Sequence, residues 1–211
     1  MAFLCNPNNP TGQLLAKSDV MRIATAARKL KCRLVVDEAF IDFCAGNSVI
    51  DMVRTNPFLI VLRSMTKFYA LPGLRLGYGV FHRSLAGAVR SWKKPWTVNA
   101  LALKAGVAAL DDVAHRRATD KMIAAEKAFI EPALAKAGIE FVPTSANYYL
   151  LKFGNARKAV AELEQRRILV RDCSNFRGMG QSYVRIAVRT RKENRILMKE
   201  LAAIHGAVKR R

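Results

Sequence analysis

The chain has 211 residues, of which 51% are hydrophobic and 25% are charged. This composition supports a buried core and excludes an intrinsically disordered chain. No stretch approaches the roughly 18 uncharged apolar residues that a transmembrane helix needs. The four cysteines show no CxxC spacing and no interleaved histidines. The sequence therefore predicts neither a disulfide framework nor a metal site, and it favours a reducing, cytoplasmic location.

The chain is strongly basic, with 36 Lys and Arg residues against 16 Asp and Glu residues and a net charge of +20. Half of this excess lies in residues 154–211. Basic surfaces attract nucleic acids and membrane surfaces. Here, however, the basic residues follow helical patterns and are not interleaved with aromatic residues, as a base-stacking platform requires. The sequence therefore favours a small phosphorylated ligand over a nucleic acid or a membrane as the partner.

The first half of the chain alternates helices with short apolar strands. Residues 14–31 predict a helix that Ser18 caps. The apolar face of this helix would consist of Val20, Ile23, Ala24 and Ala27. Short apolar runs, buried on both faces and separated by helices, predict strands of a parallel sheet at residues 33–37, 58–63 and 76–81. Residues 97–111 predict a packed helix.

The second half begins with a long helix pattern, after which short strands and helices alternate. A long helical pattern covers residues 113–137 and could connect two domains. Beyond it, helices are predicted at residues 156–167 and 191–205, and strands at residues 139–143, 148–153, 168–171 and 183–188. The sequence thus predicts a larger domain over residues 1–112, a connecting helix over residues 113–137 and a small α/β domain over residues 138–211.

The most informative segment follows the second predicted strand. Residues 63–75 read RSMTKFYALPGLR and are called the lysine segment below. Ser64 stands three residues before Lys67, and Arg75 stands eight residues after it. A lysine that captures a phosphorylated aldehyde needs phosphate donors nearby, and a hydroxyl and a guanidinium meet that need. A lone lysine is ordinarily a surface charge. The indication of a binding lysine therefore comes from the combination of Lys67 with Ser64 and Arg75.

Two motifs precede the lysine segment. Residues 6–12 read NPNNPTG, in which every residue favours a turn. Residues 35–40 read VVDEAF, an apolar run that ends in the carboxylate of Asp37. Such a carboxylate could face the ring nitrogen of a heterocyclic cofactor, whereas Glu38 beside it is interpreted as structural. None of the three histidines is paired with a serine, cysteine or acid, so a hydrolase triad finds no support.

Together these motifs resemble the aminotransferase-like, fold-type I enzymes that depend on pyridoxal 5'-phosphate (PLP). The resemblance implies an α/β fold of the PLP-dependent transferase-like type, with a three-layer large domain and a smaller α/β C-terminal domain. Relatives carry a long segment before the asparagine motif, which here begins at residue 6. The resemblance therefore implies that the chain holds only the C-terminal portion of the large domain and lacks the N-terminal part.

The resemblance also implies a role toward PLP for six residues. Lys67 would hold the cofactor covalently, and Asp37 would keep its ring nitrogen protonated. Asn9 would donate a hydrogen bond to the ring hydroxylate. The cofactor phosphate would be bound by Ser64, Thr66 and Arg75.

Three arginines of the second half are candidates for binding the substrate. Arg185, in residues 183–186, is chosen for the substrate carboxylate because a planar guanidinium binds a carboxylate in two places. Arg189 and Arg177 are candidates for a second anionic group. Each of the three, taken alone, would be interpreted as surface charge.

Within the family, the chain resembles the group that contains histidinol-phosphate aminotransferase and threonine-phosphate decarboxylase. Residues 37–43 (DEAFIDF), 95–100 (PWTVNA) and 171–176 (RDCSNF) look more like the decarboxylase. Phe40 stands where many aminotransferases have a tyrosine. The resemblance thus implies a homodimer that decarboxylates L-threonine O-phosphate to aminopropanol phosphate in cobalamin biosynthesis. Histidinol-phosphate aminotransferase, in histidine biosynthesis, and an inactive basic fragment that associates with polyanions remain the alternatives.

Overall fold

A computed structural model describes residues 1–209 of the chain, and their side chains as far as residue 206. It contains two compact units, one of residues 1–9 with 14–118 and one of residues 10–13 with 119–211. The boundary falls inside the long helix rather than at its ends, where the sequence analysis placed the divisions. Residues 10–13 group with the second unit because the backbone N–H of Ser145 donates to the carbonyl of Gly12 at 2.9 Å. No helix among the described residues is long and apolar enough to cross a membrane.

The first unit is built on a four-stranded sheet. In chain order and in spatial order its strands are β1 (Ala2–Cys5), β2 (Leu34–Asp37), β3 (Leu59–Ser64) and β4 (Gly77–Phe81). Strands β1, β2 and β3 run parallel, whereas β4 is antiparallel to β3. The three predicted strands are therefore confirmed, but β1 was not predicted. The sheet is thus parallel, as predicted, except at β4, which returns from the lysine segment antiparallel to β3.

Helix α1 (Lys17–Lys29) covers this sheet with a face of small apolar side chains. Val20, Ala24 and Ala27 are buried against residues of β2 and β3. Two predictions for this helix were wrong. Ile23 is 39% exposed, and Ser18 is the second helical residue, after an Ala16 that makes no side-chain cap.

Three further helices follow in the first unit, α2 (Ala86–Trp92), α3 (Ala100–Asp111) and the beginning of α4 (Val113–Lys136). Helix α2 was not predicted. A second small core lies where the lysine segment meets α3, and it consists of Met65, Phe68, Tyr69, Leu76 and Ala102. The lysine segment is thus anchored by its own apolar side chains.

Helix α3 also carries apolar side chains that are uncovered. Leu103 and Val107, which lie one turn apart, are 54% and 64% exposed, and this pair is called the α3 face below; Leu101, on another side of the helix, is 75% exposed. Trp92 and Trp96 nearby in sequence are 87% and 96% exposed, with two lysines between them. The expectation that basic and exposed aromatic residues are not interleaved was therefore wrong for this short segment. Exposed apolar side chains that adjoin one another can mark an interaction site.

The second unit is a four-stranded antiparallel sheet with helices. Its spatial strand order is β5 (Phe141–Val142), β6 (Tyr148–Lys152), β8 (Tyr183–Ala187) and β7 (Arg171–Asp172). Its helices are the rest of α4, α5 (Ala156–Gln165) and α6 (Arg191–Lys209). The predicted elements are all present, although the strand predicted at residues 168–171 is reduced to two residues that begin at Arg171.

Candidate active site

The three motifs of the sequence analysis meet at one edge of the sheet of the first unit. Cys5, at the end of β1, lies opposite Asp37 at the end of β2, and Asp37 lies opposite Leu62 of β3. Parallel strands bring their carboxyl ends to the same edge, which is where α/β proteins commonly bind ligands. The asparagine motif, Asp37 and the lysine segment each follow or end one of these strands.

Asp37 is partly buried at the end of β2. Its Oδ1 accepts a hydrogen bond from the backbone N–H of Ala39 at 2.9 Å, which fixes the carboxylate against the chain's own turn. Glu38 is 1% exposed and pairs with Arg63, consistent with its structural interpretation. The adjacent carboxylates of Asp37 and Glu38 therefore have different surroundings.

Lys67 carries an exposed amine beside two hydroxyls. Its Nζ donates to Oγ1 of Thr66 at 2.6 Å, and that oxygen lies 2.8 Å from Oγ of Ser64. The same Nζ lies 5.6 Å from the centroid of the buried Phe40 ring, a distance at which a cation and an aromatic ring attract each other. Ser64, Thr66 and Lys67 are thus brought together, as the sequence predicts.

The backbone holds this lysine in place. Met65 and Phe68, on either side of Lys67 in the sequence, are each 2% exposed. The backbone N–H of Met65 donates to the carbonyl of Leu76 at 3.1 Å. Since the neighbours of Lys67 are packed, its side chain projects from an anchored backbone, as a functional side chain requires.

Arg75 lies at the end of the lysine segment and makes a local contact. It is exposed, and its Nη1 donates to the carbonyl of Pro72 at 2.8 Å. Its backbone φ is 53°, a left-handed conformation that costs energy for a residue other than glycine. Because a guanidinium has five N–H donors, this single contact leaves donors of Arg75 for a ligand.

The asparagine motif forms the predicted turn, in which Asn9 is exposed. The buried asparagine of the motif is Asn6, whose Oδ1 accepts from the backbone N–H of Leu15 at 2.8 Å. Burial raises the pKa of the nearby Cys5 thiol, and the charge of Asp37 adds to that effect. The thiol is therefore protonated near neutral pH and is a poor nucleophile.

The three predicted substrate arginines of the second unit have different surroundings. Arg185 lies on β8, and its guanidinium carbon is 4.8 Å from the ring centroid of Tyr148. Arg189 donates from Nη2 to Oε1 of Glu193 at 2.7 Å. Arg177 is exposed in the connection between β7 and β8. Of the three, Arg185 combines partial burial with a rigid aromatic support.

The sequence analysis missed Arg171 as a candidate. This residue lies directly opposite Arg185 in the pairing of β7 with β8. Two like charges that face each other on neighbouring strands repel, unless an anion lies between them. The motif at residues 171–176 was noted, but a spacing of 14 residues does not reveal a cross-strand pair without the register.

Comparisons with known proteins bear on the family and the fold of the chain. Residues 1–201 match the family model described as Aminotransferase class I and II. Threonine-phosphate decarboxylase of Salmonella typhimurium is 42% identical over 206 residues, which cover 94% of this chain and 56% of that protein. Histidinol-phosphate aminotransferase of Roseiflexus castenholzii is 42% identical over 177 residues, which cover 81% of this chain and 46% of that protein. The crystal structure of histidinol-phosphate aminotransferase from Clostridium acetobutylicum is 29% identical with a TM-score of 0.92, covering 98% of this chain and 64% of that chain.

The chain spans about half the length of the curated relatives that it matches. The structural likeness confirms the α/β fold of the PLP-dependent transferase type that the resemblance implied. The matched region includes both units and all three motifs. The chain therefore belongs to the class I and II aminotransferases, a family of PLP-dependent enzymes.

Proposed function

We propose that the strand edge formed by Asp37 and the lysine segment binds PLP. The groups at this edge fit the cofactor chemically. An exposed amine suits its aldehyde, and two hydroxyls 2.8 Å apart suit its phosphate. The carboxylate of Asp37 suits its ring nitrogen, because an anion there favours the protonated ring. Asn9 and Arg75 remain proposed contacts to the ring hydroxylate and the phosphate.

The chain's own residues would orient the cofactor and move protons. When bound, PLP supplies an electron sink for the bond broken at the α-carbon of an amino acid. Asp37 would hold the proton on the ring nitrogen, which makes that sink effective. Lys67 would hold the aldehyde carbon covalently, and its amine, once displaced by a substrate amine, could carry a proton to the α-carbon. Thr66 and Ser64 would donate hydrogen bonds to the phosphate.

For the substrate, we propose that Arg185 binds the carboxylate. Its contact with the Tyr148 ring limits the orientations of the guanidinium, so less entropy is lost when the carboxylate binds. Arg189 and Arg177 would take a second anionic group. Arg189 is held by Glu193, so it would have to share its guanidinium between that carboxylate and the ligand.

The reaction that we propose is the decarboxylation of L-threonine O-phosphate to aminopropanol phosphate, a step of cobalamin biosynthesis. One observation carries this choice, the 42% identity with a threonine-phosphate decarboxylase over 94% of the chain. Phe40 agrees with it, since its ring lies beside Lys67 and offers no hydroxyl to a cofactor. The substrate has one carboxylate and one phosphate, which matches a set of arginines for two anionic groups.

Covalent capture of PLP is tested first. The unsubstituted chain should develop an absorbance band with PLP, and borohydride should fix the cofactor on Lys67, as identified by mass spectrometry. Lys67→Ala should abolish both signals. Lys94→Ala, which removes an exposed lysine from the segment after α2, is the matched control and should change neither. Labelling that is unaffected by Lys67→Ala would contradict the proposed site.

The reaction is tested with L-threonine O-phosphate and PLP. Release of CO₂ together with aminopropanol phosphate would support the decarboxylase. Formation of a ketone and pyridoxamine phosphate would instead support histidinol-phosphate aminotransferase, which the equal identity of the Roseiflexus relative favours as the second candidate. That candidate is examined directly by amino transfer from glutamate to imidazole acetol phosphate. If neither aminopropanol phosphate nor the products of amino transfer form, catalysis by this chain is contradicted.

We also propose that two copies of the chain associate through the α3 face. Exposed leucines and valines at these fractions are unusual for a surface in water, and burying them would stabilise a complex by about 25 cal/mol per Å² of apolar area removed from water. The proposed association agrees with the homodimer that the resemblance implied.

The remaining alternative is an inactive basic chain that binds polyanions. The segment with Trp92, two lysines and Trp96 is the observation that favours it, because exposed indoles beside cations can stack on bases. Binding to duplex DNA that weakens steeply with salt, combined with no borohydride-stable adduct on Lys67, would support this alternative against the enzyme.

A further inference from the structure

Arg63, the residue that precedes the first hydroxyl of the proposed phosphate site, is buried against two carboxylates. Its Nε lies 3.0 Å from Oε2 of Glu38 as an ion pair without a hydrogen bond, and its Nη1 donates to Oδ1 of Asp42 at 2.8 Å. The side chains of the three residues are only 9%, 1% and 6% exposed. Ser48 joins them, since its hydroxyl accepts from Nη2 of Arg63 at 3.1 Å and donates to Glu38 at 2.7 Å. Because a buried charge without its partner is costly, these groups fix one another's positions.

A second guanidinium completes this network. The hydroxyl of Tyr69 donates to Oδ1 of Asp42 at 3.3 Å and lies 3.4 Å from Nη2 of Arg116, from which it accepts. The guanidinium of Arg116 also lies over the rings of Tyr69 and Phe68. Two buried carboxylates are thus balanced by two guanidinium groups, one in direct contact and one through a phenol.

The network touches two of the three chain segments that carry a residue of the proposed PLP site, the segment of Asp37 and the lysine segment. Glu38 directly follows the carboxylate proposed for the ring nitrogen. Arg63 directly precedes the first phosphate-binding hydroxyl, and Tyr69 lies two residues after the lysine. The backbone N–H of Glu38 also donates to the carbonyl of Leu62 at 2.9 Å, the last bond between β2 and β3 before the network begins. A shift of Arg63 would therefore be passed to the segment of Asp37 and to the lysine segment.

We propose that Arg63 is a positioning residue, which sets the spacing between Asp37 and Lys67 through its ion pairs with Glu38 and Asp42. This inference rests on the proposed function of the strand edge. The proposed ligand contacts Asp37 on one side and Lys67 on the other. A misplacement of about 1 Å between these two groups can reduce function on the order of 100-fold. The ion pairs supply the rigidity that the exposed lysine side chain does not have.

A purely structural ion pair would lower stability without any particular effect on PLP. The chain offers a matched control in its second unit, where Nε of Arg191 lies 3.0 Å from Oε1 of Glu126. The side chain of Glu126 is 8% exposed, and it also accepts from Asn194 at 2.8 Å. Arg63→Met and Arg191→Met therefore each remove one guanidinium from a buried carboxylate.

The experiment compares PLP binding by these two variants and by the unsubstituted chain. The readouts are the dissociation constant of PLP, the fraction fixed on Lys67 by borohydride and the pH midpoint of the absorbance band. We expect Arg63→Met to weaken PLP binding 10- to 100-fold and to move the pH midpoint. Arg63→Lys, which keeps the positive charge but not the planar guanidinium, should restore part of the affinity. Arg191→Met should lower the melting temperature while leaving the three readouts unchanged.

Equal PLP affinity and an equal pH midpoint in Arg63→Met and Arg191→Met would overturn the proposal. If the unsubstituted chain forms no adduct with PLP, the proposed function fails. Amide hydrogen exchange then tests separately whether Arg63 positions the segments of the network. In that case Arg63→Met should accelerate amide exchange in residues 38–43 and 64–71, and Arg191→Met should not. Exchange that rises uniformly along the chain in Arg63→Met would show that the ion pairs serve stability only.

Discussion

At the scale of single residues, the hydroxyl of Thr66 lies between the amine of Lys67 and the hydroxyl of Ser64. It accepts from Nζ of Lys67 at 2.6 Å and lies 2.8 Å from the hydroxyl of Ser64. A hydroxyl between an amine and a second hydroxyl can donate to a phosphate while remaining oriented by both neighbours. Its removal should therefore affect ligand binding more than stability.

We expect Thr66→Val to weaken PLP binding about 10- to 100-fold, because a hydrogen bond to a charged group contributes roughly 1.5–3 kcal/mol. Equilibrium titration of the PLP absorbance band measures this change. The matched control is Thr25→Val, since the Thr25 hydroxyl bonds only the carbonyl of Met21 on the exposed side of α1 among the contacts seen. Equal affinities for the two variants would be evidence against a phosphate site at Thr66.

The beginning of α6 provides a prediction about pH. Hydrogen bonds from Arg189, and then from Thr190, lower the pKa of Glu193 from its ordinary 4.5 to about 2. Because this pKa is lower in the folded chain than in the unfolded chain, the contribution of Glu193 to stability is complete above about pH 4.5. It is lost as the pH falls toward 2. The side chain is 44% exposed, so solvent screening limits the contribution to about 0.2–1 kcal/mol.

We therefore expect Glu193→Gln to be less stable than the unsubstituted chain at pH 7, and the difference to vanish near pH 2. Urea unfolding at a series of pH values measures it. Glu164→Gln, on the exposed side of α5, is the control and should show no such convergence. A stability difference that is constant between pH 7 and pH 2 would contradict the assigned ion pair.

At the scale of elements, α3 packs closely on the lysine segment because it carries a glycine at the contact. A Cβ on Gly106 would lie 2.4 Å from Cδ2 of Leu76 and 3.4 Å from Sδ of Met65. Gly87 of α2 has no atom within 4 Å of the same position. Both glycines thus lie in helices, but a Cβ would meet neighbouring atoms only at Gly106.

We expect Gly87→Ala to stabilise the chain by up to about 1 kcal/mol, the gain of helix propensity. Gly106→Ala should instead destabilise it by about 1 kcal/mol, because overpacking costs about 1–3 kcal/mol and outweighs that gain. The midpoints of urea unfolding compare the two variants. Equal stabilisation by both would mean that Leu76 moves away freely and that α3 is not held tightly against the lysine segment.

At the scale of the whole molecule, the α3 face and the net charge of +20 act in opposite directions on association. Apolar side chains favour a second copy, whereas like charges on two copies repel each other. Because the α3 face is locally apolar and salt screens the charges within about 10 Å at 0.1 M, association should be stronger at higher ionic strength.

We expect Leu103→Asp to convert the proposed dimer to a monomer, since it would place an unpaired carboxylate in an apolar interface. Sedimentation velocity measures the change. Leu30→Asp, at a leucine that is 78% exposed after α1, should leave the sedimentation coefficient unaltered. A dimer that persists in Leu103→Asp would show that another surface joins the copies.

The sequence by itself determined most of the helices and strands, although not β1 and α2, and it indicated the family. Hydrophobic periodicity is a local property, and it placed α4 and β6 within two residues of their observed bounds. The spacing from Ser64 to Lys67 and Arg75 is likewise local, so the lysine segment and its likeness to PLP enzymes could be identified without coordinates.

Only the tertiary structure decided which distant residues meet. The ion pairs of Arg63, the cross-strand pair of Arg171 with Arg185 and the exposure of Ile23 all depend on strand register and helix rotation. A register shift of one residue turns every side chain of a strand to the other face, and the partner of a given residue cannot be read from its own strand alone. The same holds for the α3 face, because its apolar residues have the helical spacing of a buried side and only the fold shows them uncovered.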